Sequence, residues 1–389
     1  MSSTCMPHGQ RQSADSPFAH AYVHVPFCAR RCSYCDFSIA VRREVPVAAF
    51  VTSIMLECAA RHVPPSMLTS LYLGGGTPSR LGGDGVALLL GGLRDLFSLR
   101  SDAEVTLEAN PEDITADAAR TWKDAGVTRL SIGVQSFENT VLKWMHRVHD
   151  SESASRAIDV ARNAGLTAFS IDLIFALPAM LNRNWTRDLD AALALDPDHI
   201  SLYGLTVEPQ TPLGRWRARG EIEPSSDERY EDEFLLAHER LTAAGYEHYE
   251  VSNFSKPGHR AVHNSAYWSG VPYLGLGPSA HGYDGRERRW NISAFAAWQA
   301  AVALGDDPRE GVEVLTDANR EAERVYLGLR TSHGLVLTLP ESEMVQPWVS
   351  AGWMEWVDET DQRRVRCTPN GWLLLDRLAG DLTAVPSHS

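Results

Sequence analysis

The sequence predicts an α/β fold: a partial (β/α)6 barrel, then a C-terminal α/β extension, then a small helical or winged-helix-like domain. Three observations predict it. From residue 20 to about 207, short β-branched or aromatic runs alternate with longer stretches of helical spacing, the pattern of parallel βαβ units. Glycines stand where helices should stop, at Gly126 and Gly165. After Pro209 the texture changes to a strongly charged helical run over about 227–244, so the barrel ends there.

The expected strands are 21–25, 70–73, 104–108, 129–134, 168–174 and 199–205. The expected crossover helices are 47–61, 84–96, 116–125, 151–164 and 185–195, with Thr115 and Ser151 as N-caps. Six such units are too few for an eight-fold barrel, so the barrel should be open. Beyond it come an aromatic strand-like run over 246–254, a Gly/Pro/aromatic region to Tyr283, and a helix near 293–303. Gly305-Asp306-Asp307-Pro308 reads as a linker. The rest reads as two helices, a short hairpin around 356–367 and a final helix, with Trp353, Trp356 and Trp372 as its small core. The divisions are a disordered tail over 1–18, the barrel core 19–208, the extension 209–305 and the C-terminal helical domain 306–389.

Composition bounds the function. Fifty acidic against 36 basic residues give a formal net charge of −14, which argues against a nucleic-acid partner. No stretch approaches the ~20 apolar residues that cross a bilayer. Residues 1–17 are polar and lack the apolar core of a signal peptide. Six cysteines in 389 residues are too few for a disulfide scaffold. Three crowd into eight residues while Cys5, Cys58 and Cys367 are scattered, which favours a reducing, cytoplasmic setting and a metal site.

The crowded three are Cys28, Cys32 and Cys35, spaced Cys-x3-Cys-x2-Cys directly after the first strand. Three thiolates on one loop can hold three irons of a cubane cluster and leave the fourth open to chelate a small molecule. Structural zinc wants four ligands, and His24, the candidate fourth, lies within the strand run. A Cys32/Cys35 redox pair is the other reading.

Tyr22-x-His24-x-Pro26-Phe27-Cys28 and the cysteine loop behind it resemble the opening of the radical S-adenosylmethionine (SAM) superfamily. More narrowly they resemble the branch that contains oxygen-independent coproporphyrinogen III oxidase and the haem chaperone HemW. The similarity runs from about residue 20 to the C-terminal domain. It implies a radical SAM barrel, a [4Fe–4S] cluster on the three cysteines, and SAM as cofactor. It also implies that Tyr22, Tyr34, the Gly75-Gly76-Thr77 turn and Glu108 line the cofactor channel, with Gln135, Arg147 and Asp172 on later strand ends. The glycines would let backbone N–H and C=O groups approach the ligand. Alone, the turn could be a plain βα turn, and Arg147 with Asp172 a plain ion pair.

Two departures separate the branches. The oxidase pattern ends Cys-Gly-Cys and carries a longer N-terminal arm. This chain has Cys35-Asp36-Phe37, with about twenty residues before its first strand. His263-Asn264-x-x-Tyr267-Trp268 matches the His-Asn-x-x-Tyr-Trp motif associated with haem binding in the chaperone family. An imidazole is a natural axial ligand, and Tyr and Trp offer flat apolar surface to a macrocycle. His263 is the candidate ligand and His281 its rival, although a histidine beside aromatics is more often a packing residue. No residue is assigned as catalytic.

The expectation is a haem chaperone that binds haem as cargo and passes it to acceptor haem proteins such as respiratory ones. It would work with a reductant protein for its cluster, in the cytoplasm or at the membrane through a partner, and as a homodimer. It resembles coproporphyrinogen III dehydrogenase without being expected to share that activity. The alternative is oxidative decarboxylation of coproporphyrinogen III in porphyrin biosynthesis.

Overall fold

The computed structural model describes residues 18–358 and 363–384. The expected tail over 1–18 lies outside the described residues, except for Phe18.

Six parallel strands form the frame: β1 (His20–Val25), β2 (Ser66–Gly75), β3 (Phe97–Ala109), β4 (Arg129–Gln135), β5 (Ala168–Phe175) and β6 (His199–Gly204). Five helices cross between them: α1 (Val47–Ala60), α2 (Gly82–Arg94), α3 (Ala116–Asp124), α4 (Ser151–Asn163) and α5 (Trp185–Ala194). The strands lie side by side in chain order, so each crossover returns to the neighbouring position, as a right-handed βαβ series does. The expected elements are all present. The largest difference is at β3, which starts at Phe97 because Phe97–Leu99 pairs with Ser66–Leu68 in a ribbon below the barrel.

Local chemistry explains the helix ends. Thr115 caps α3 by accepting from the Ala118 amide. The cap of α4 is Asp150, not Ser151: its carboxylate accepts from the Ser153 amide at 2.7 Å, and the Ser153 hydroxyl accepts from the Asp150 amide at 2.9 Å. A carboxylate at this end also suits the helix dipole. Gly126 and Gly165 stop α3 and α4 at φ +94° and +83°, a conformation that favours glycine. The face of α4 turned inward carries Ala154, Ala157 and Ala161 beside Ile158, small enough to let the helix lie close on the sheet.

Alternation along the strands decides what the barrel can do. Val23, Leu73, Leu107, Ile132, Ile171 and Ile200 are 0% exposed beneath the helices, and burying each contributes about 1.5–3 kcal/mol. Their neighbours along the chain, among them Tyr22, Tyr72, Glu108, Ser131, Asp172 and Ser201, point to the other face. Parallel strands buried on both sides normally read as unbroken apolar runs. Here the inner face is polar.

The sheet is extended on both edges. The hairpin β7 (Glu247–Glu250) and β8 (Asn253–Ser255) adds to β6, with β8 antiparallel to it. β9 (Leu274–Leu276) adds parallel to β1. The charged helix expected near 227–244 is α6 (Asp227–Ala243), and α7 (Val262–Trp268) and α8 (Phe295–Ala303) follow. The Gly305–Pro308 segment leads into a strand, Arg309–Val314, which pairs with Glu287–Asn291, so a sheet carries across the expected linker. The C-terminal part has helices at Asp317–Arg330, Leu339–Ser350 and Leu375–Thr383 around a three-stranded antiparallel sheet of Leu335–Val336, Arg364–Cys367 and Met354–Trp356. Trp372 ties this part together, donating from Nε1 to the Leu329 carbonyl at 3.0 Å, and joins it to the extension by packing on His248 at 4.4 Å.

Candidate functional site

The loop after β1 carries the three cysteines, and its ends are pinned by a two-residue pairing of Phe27–Cys28 with Ala40–Val41. Its middle is tied down by Ser33, whose amide donates to the Met145 carbonyl (3.2 Å) and whose carbonyl accepts from the Leu213 amide (2.8 Å). The loop thus closes over a cavity of about 490 Å³ at the carboxyl ends of the strands, the working end of a parallel barrel. Cys28 is buried, Cys32 and Cys35 are half-buried, and all three line the cavity.

These residues fit an iron–sulfur cluster better than a single ion. Among the described residues no three His, Cys, Asp or Glu side chains meet closely enough to share one metal ion. Thiolates of a cubane each take a different iron, so they need not converge. The surroundings compensate thiolate charge. Arg147 reaches from beyond β4 to place Nη1 3.6 Å from the Cys32 sulfur, while Nη2 donates to Asn110 Oδ1 (2.6 Å) and the Gly133 carbonyl (2.7 Å). Its Nε is buried without an acceptor, a donor left over beside the thiols. Thr77 Oγ1 lies 3.4 Å from the Cys28 sulfur.

Tyr34, Gly75, Gly76, Thr77, Glu108, Gln135, Arg147 and Asp172 all line this cavity. Tyr22 does not. It lines a neighbouring cavity that shares Gly75 and Glu108 with the first. The glycine turn differs from expectation in its reason. The Gly75 amide is taken by Glu108 Oε2 (3.0 Å) and the Gly76 amide by the Val25 carbonyl (2.8 Å), so neither is left for a ligand. A Cβ on Gly76 would lie 2.7 Å from the Pro26 carbonyl, and one on Gly75, at φ +113°, 2.6 Å from the His24 ring. Close approach of β1 is what demands glycine here.

Two buried carboxyls form the floor. Glu108 accepts from the Tyr72 hydroxyl at 2.8 Å and from the Gly75 amide. Burial, outweighing those hydrogen bonds and aided by the Asp172 charge, pushes its pKa up to about 7. Asp172 is likewise raised to about 6 by burial, against hydrogen bonds from serines such as Ser131 (3.0 Å) and Ser170 (3.3 Å). It is not ion-paired to Arg147, whose partners are those given above. A cationic ligand beside Glu108 favours the ionised form. Affinity for the SAM ammonium should therefore rise about tenfold between pH 6 and pH 8 as a carboxyl of pKa near 7 ionises. Equilibrium dialysis of labelled SAM would measure this, and Glu108→Gln should flatten the dependence.

Sequence reading gave no role to Asn110, Glu112 and Tyr203, which also line the cavity, and left His146, next to Arg147 and able to reach the barrel mouth, unassigned; it lines the cavity as well. The available signal was the polar alternation, as in His199-x-Ser201-x-Tyr203. His149 is buried elsewhere, donating from Nε2 to the Val134 carbonyl (3.1 Å) and facing Glu112 at 3.4 Å.

The His263–Trp268 motif forms α7, which plugs the barrel from the amino ends of the strands. Glu104 on β3 accepts from the His263 amide (2.9 Å) and the Val262 amide (3.1 Å), and is paired with Arg129 of β4 at 2.9 Å. The His263 ring stacks on Tyr72 at 5.0 Å. Its Nδ1 engages Ser70 Oγ (2.8 Å), which also meets His20 Nδ1 (2.8 Å), and its Nε2 engages the Tyr267 hydroxyl (2.9 Å). Burial, with the neighbouring His20, lowers its pKa to about 3. His263 is thus 1% exposed with both nitrogens engaged, and it lines neither cavity. Tyr267 lines the second cavity. Trp268 lies under the Arg330 guanidinium at 4.1 Å, with its Nε1 buried and unpartnered.

The chain is similar to known proteins in sequence and in fold. The Radical SAM superfamily profile matches residues 22–189. The heme chaperone HemW of Mycobacterium tuberculosis H37Rv is 36% identical over 374 residues, covering 94% of this chain and 95% of the relative. The heme chaperone HemW of Escherichia coli K12 is 40% identical over 264 residues, covering 67% and 69%. Among solved structures, the radical SAM enzyme coproporphyrinogen III oxidase (HemN) from Escherichia coli superposes with a TM-score of 0.79 at 23% identity, covering 95% of this chain and 92% of that one.

Proposed function

The chain belongs to the HemW family of haem chaperones within the radical SAM superfamily, and from that premise we propose that it binds haem and passes it to acceptor haem proteins. The carrying observation is the near full-length match to chaperone relatives at 36% identity. The likeness to the oxidase is one of fold, at 23% identity. Asp36-Phe37, in place of the oxidase's Gly-Cys, supports the same side.

Superfamily membership implies a [4Fe–4S] cluster and SAM. In our reading Cys28, Cys32 and Cys35 hold the cluster, and the cavity beside them takes SAM. Bound there, a cluster would supply one-electron reduction of the SAM sulfonium. The chain's own residues do the rest. Arg147 and Thr77 offset thiolate charge, Glu108 and Asp172 receive the cationic ligand, and the Ser33 ties hold the loop over the cavity. The cluster needs a reductant partner, and the haem goes to acceptor haem proteins such as respiratory ones. No helix among the described residues is long and apolar enough to cross a membrane. We place the chain in the cytoplasm, meeting membranes through its acceptors, and as a homodimer.

The test is paired. Anaerobically reconstituted protein should bind added haem with a Soret band. With SAM and an electron donor it should leave coproporphyrinogen III unconverted. Steady decarboxylation would overturn the chaperone reading.

A further inference from the structure

The second cavity, also of about 490 Å³, lies across Gly75 and Glu108 from the first and shares Asp36 and Phe37 with it. Its wall is aromatic, with Tyr22, Phe37, Tyr267 and Tyr273, and it holds two imidazoles, His24 and His281. We propose that this cavity takes the haem cargo, with the macrocycle against Tyr267 and Tyr273 and with His281, not His263, as its axial iron ligand. The proposal rests on the haem-carrying reading above and assigns it a site.

The cavity is of the size that binds cofactors, roughly 300–1,000 Å³, and its aromatic rings offer flat surface to a macrocycle, with the carboxylates Asp36 and Glu108 also in its lining. An axial ligand needs a ring nitrogen free to face the iron. His24 has none to spare: Nδ1 meets the Tyr22 hydroxyl at 3.2 Å and Nε2 the Ser38 carbonyl at 3.0 Å. His263 is engaged at both nitrogens. Freeing it would leave Ser70 with His20 alone and take from the Tyr267 hydroxyl its one hydrogen-bond partner among the described residues. The His281 ring has no hydrogen bond among the described residues and faces the cavity.

The surroundings hold His281 ready. Its strand (His281–Tyr283) pairs antiparallel with Glu287–Asn291, opposite Trp290, and the ring stacks on that indole at 6.0 Å and 23°. Its carbonyl passes so close to Gly275 of β9 that a Cβ there would lie 1.9 Å away. That crowding fixes the backbone of residue 281 against β9. Partial burial and the Arg288 charge lower the imidazole pKa, which keeps the ring neutral, the form that ligates iron.

This assignment gives the His263 motif another task. His263 fixes the Tyr267 hydroxyl from behind, so Tyr267 presents a set face to the cavity. His263 is then a positioning residue, and Glu104 holds it through the α7 amides. Because Gly75 and Glu108 line both cavities, haem here would sit one wall away from SAM.

The experiment adds ferric haem to the reconstituted full chain and records absorption and electron paramagnetic resonance spectra. His281→Ala should lose the axial nitrogen signature and weaken haem affinity roughly tenfold or more, as removing even a ligand's supporting partner does. Added imidazole should restore the signature. His281→Cys should move it to a thiolate type, which a merely structural role would not do. His263→Gln should keep the nitrogen signature. A wild-type spectrum in His281→Ala, or loss of the nitrogen ligand in His263→Gln alone, overturns the assignment while the haem-carrying function stands. Failure of the wild-type chain to bind haem at all removes that function as well, so the two failures are told apart.

Discussion

Alanine at Cys28, Cys32 or Cys35 is expected to abolish incorporation of a four-iron cluster after anaerobic reconstitution. In the proposed arrangement each thiolate holds one corner, and among the described residues no other thiol lines the cavity. The other described cysteines serve as controls. Cys58 and Cys367 are each 3% exposed in the apolar core, and burial pushes both thiols up to about 12. Neither lines the cavity beside the cysteine loop, so neither is placed to replace a cluster thiol. Cys58→Ala and Cys367→Ala should therefore keep full iron content, measured by iron analysis and by the charge-transfer absorption of the cluster. Full cluster content in Cys32→Ala would sink the assignment of this loop.

The largest loss of stability is expected from Glu104→Ala. Glu104 and Arg129 are 7% and 9% exposed at the barrel's closed end. Removing the carboxylate leaves a buried guanidinium without its counter-charge and two α7 amides without their acceptor. Breaking one side of such a pair costs about 3–5 kcal/mol. Denaturant unfolding should report that loss. Glu104→Gln retains an acceptor and should lose less, and Glu104→Met combined with Arg129→Met should recover much of the difference. A loss below about 1 kcal/mol in Glu104→Ala would show an exposed-type pair. The position of α7 depends on the same carboxylate, so tyrosine fluorescence near Tyr267 should change together with stability.

The barrel was legible because its signals are local. Apolar runs of the right length, separated by helical spacing and glycine stops, gave all six strands and five crossovers within a few residues, apart from the early start of β3. The α4 cap moved by one residue because Asp150 and Ser153 satisfy each other, a reciprocal pairing that competes with any single-residue preference. The cysteine spacing likewise marks a candidate metal-binding loop without a fold, since three thiols in eight residues must share a loop.

Tertiary structure decided the roles that depend on what lies opposite. The glycines of the Gly74–Gly76 turn look like a ligand cradle in sequence, yet it is β1 and its His24 ring that leave no room for a side chain. Glu108 is one acidic residue among fifty, and only its burial beside Asp172 moves its titration to about pH 7. His263 carries the recognisable motif, while His281 carries the free nitrogens. By itself the sequence determined the β/α order, the cysteine loop and the family, because these follow from residue type and spacing along the chain. Which imidazole is engaged, which carboxyl is desolvated and which cavity each ring faces were decided by the barrel's polar inner face. They depend on neighbours brought together from β1, β2, β3 and α7, whose separation along the chain carries no information about their distance in space.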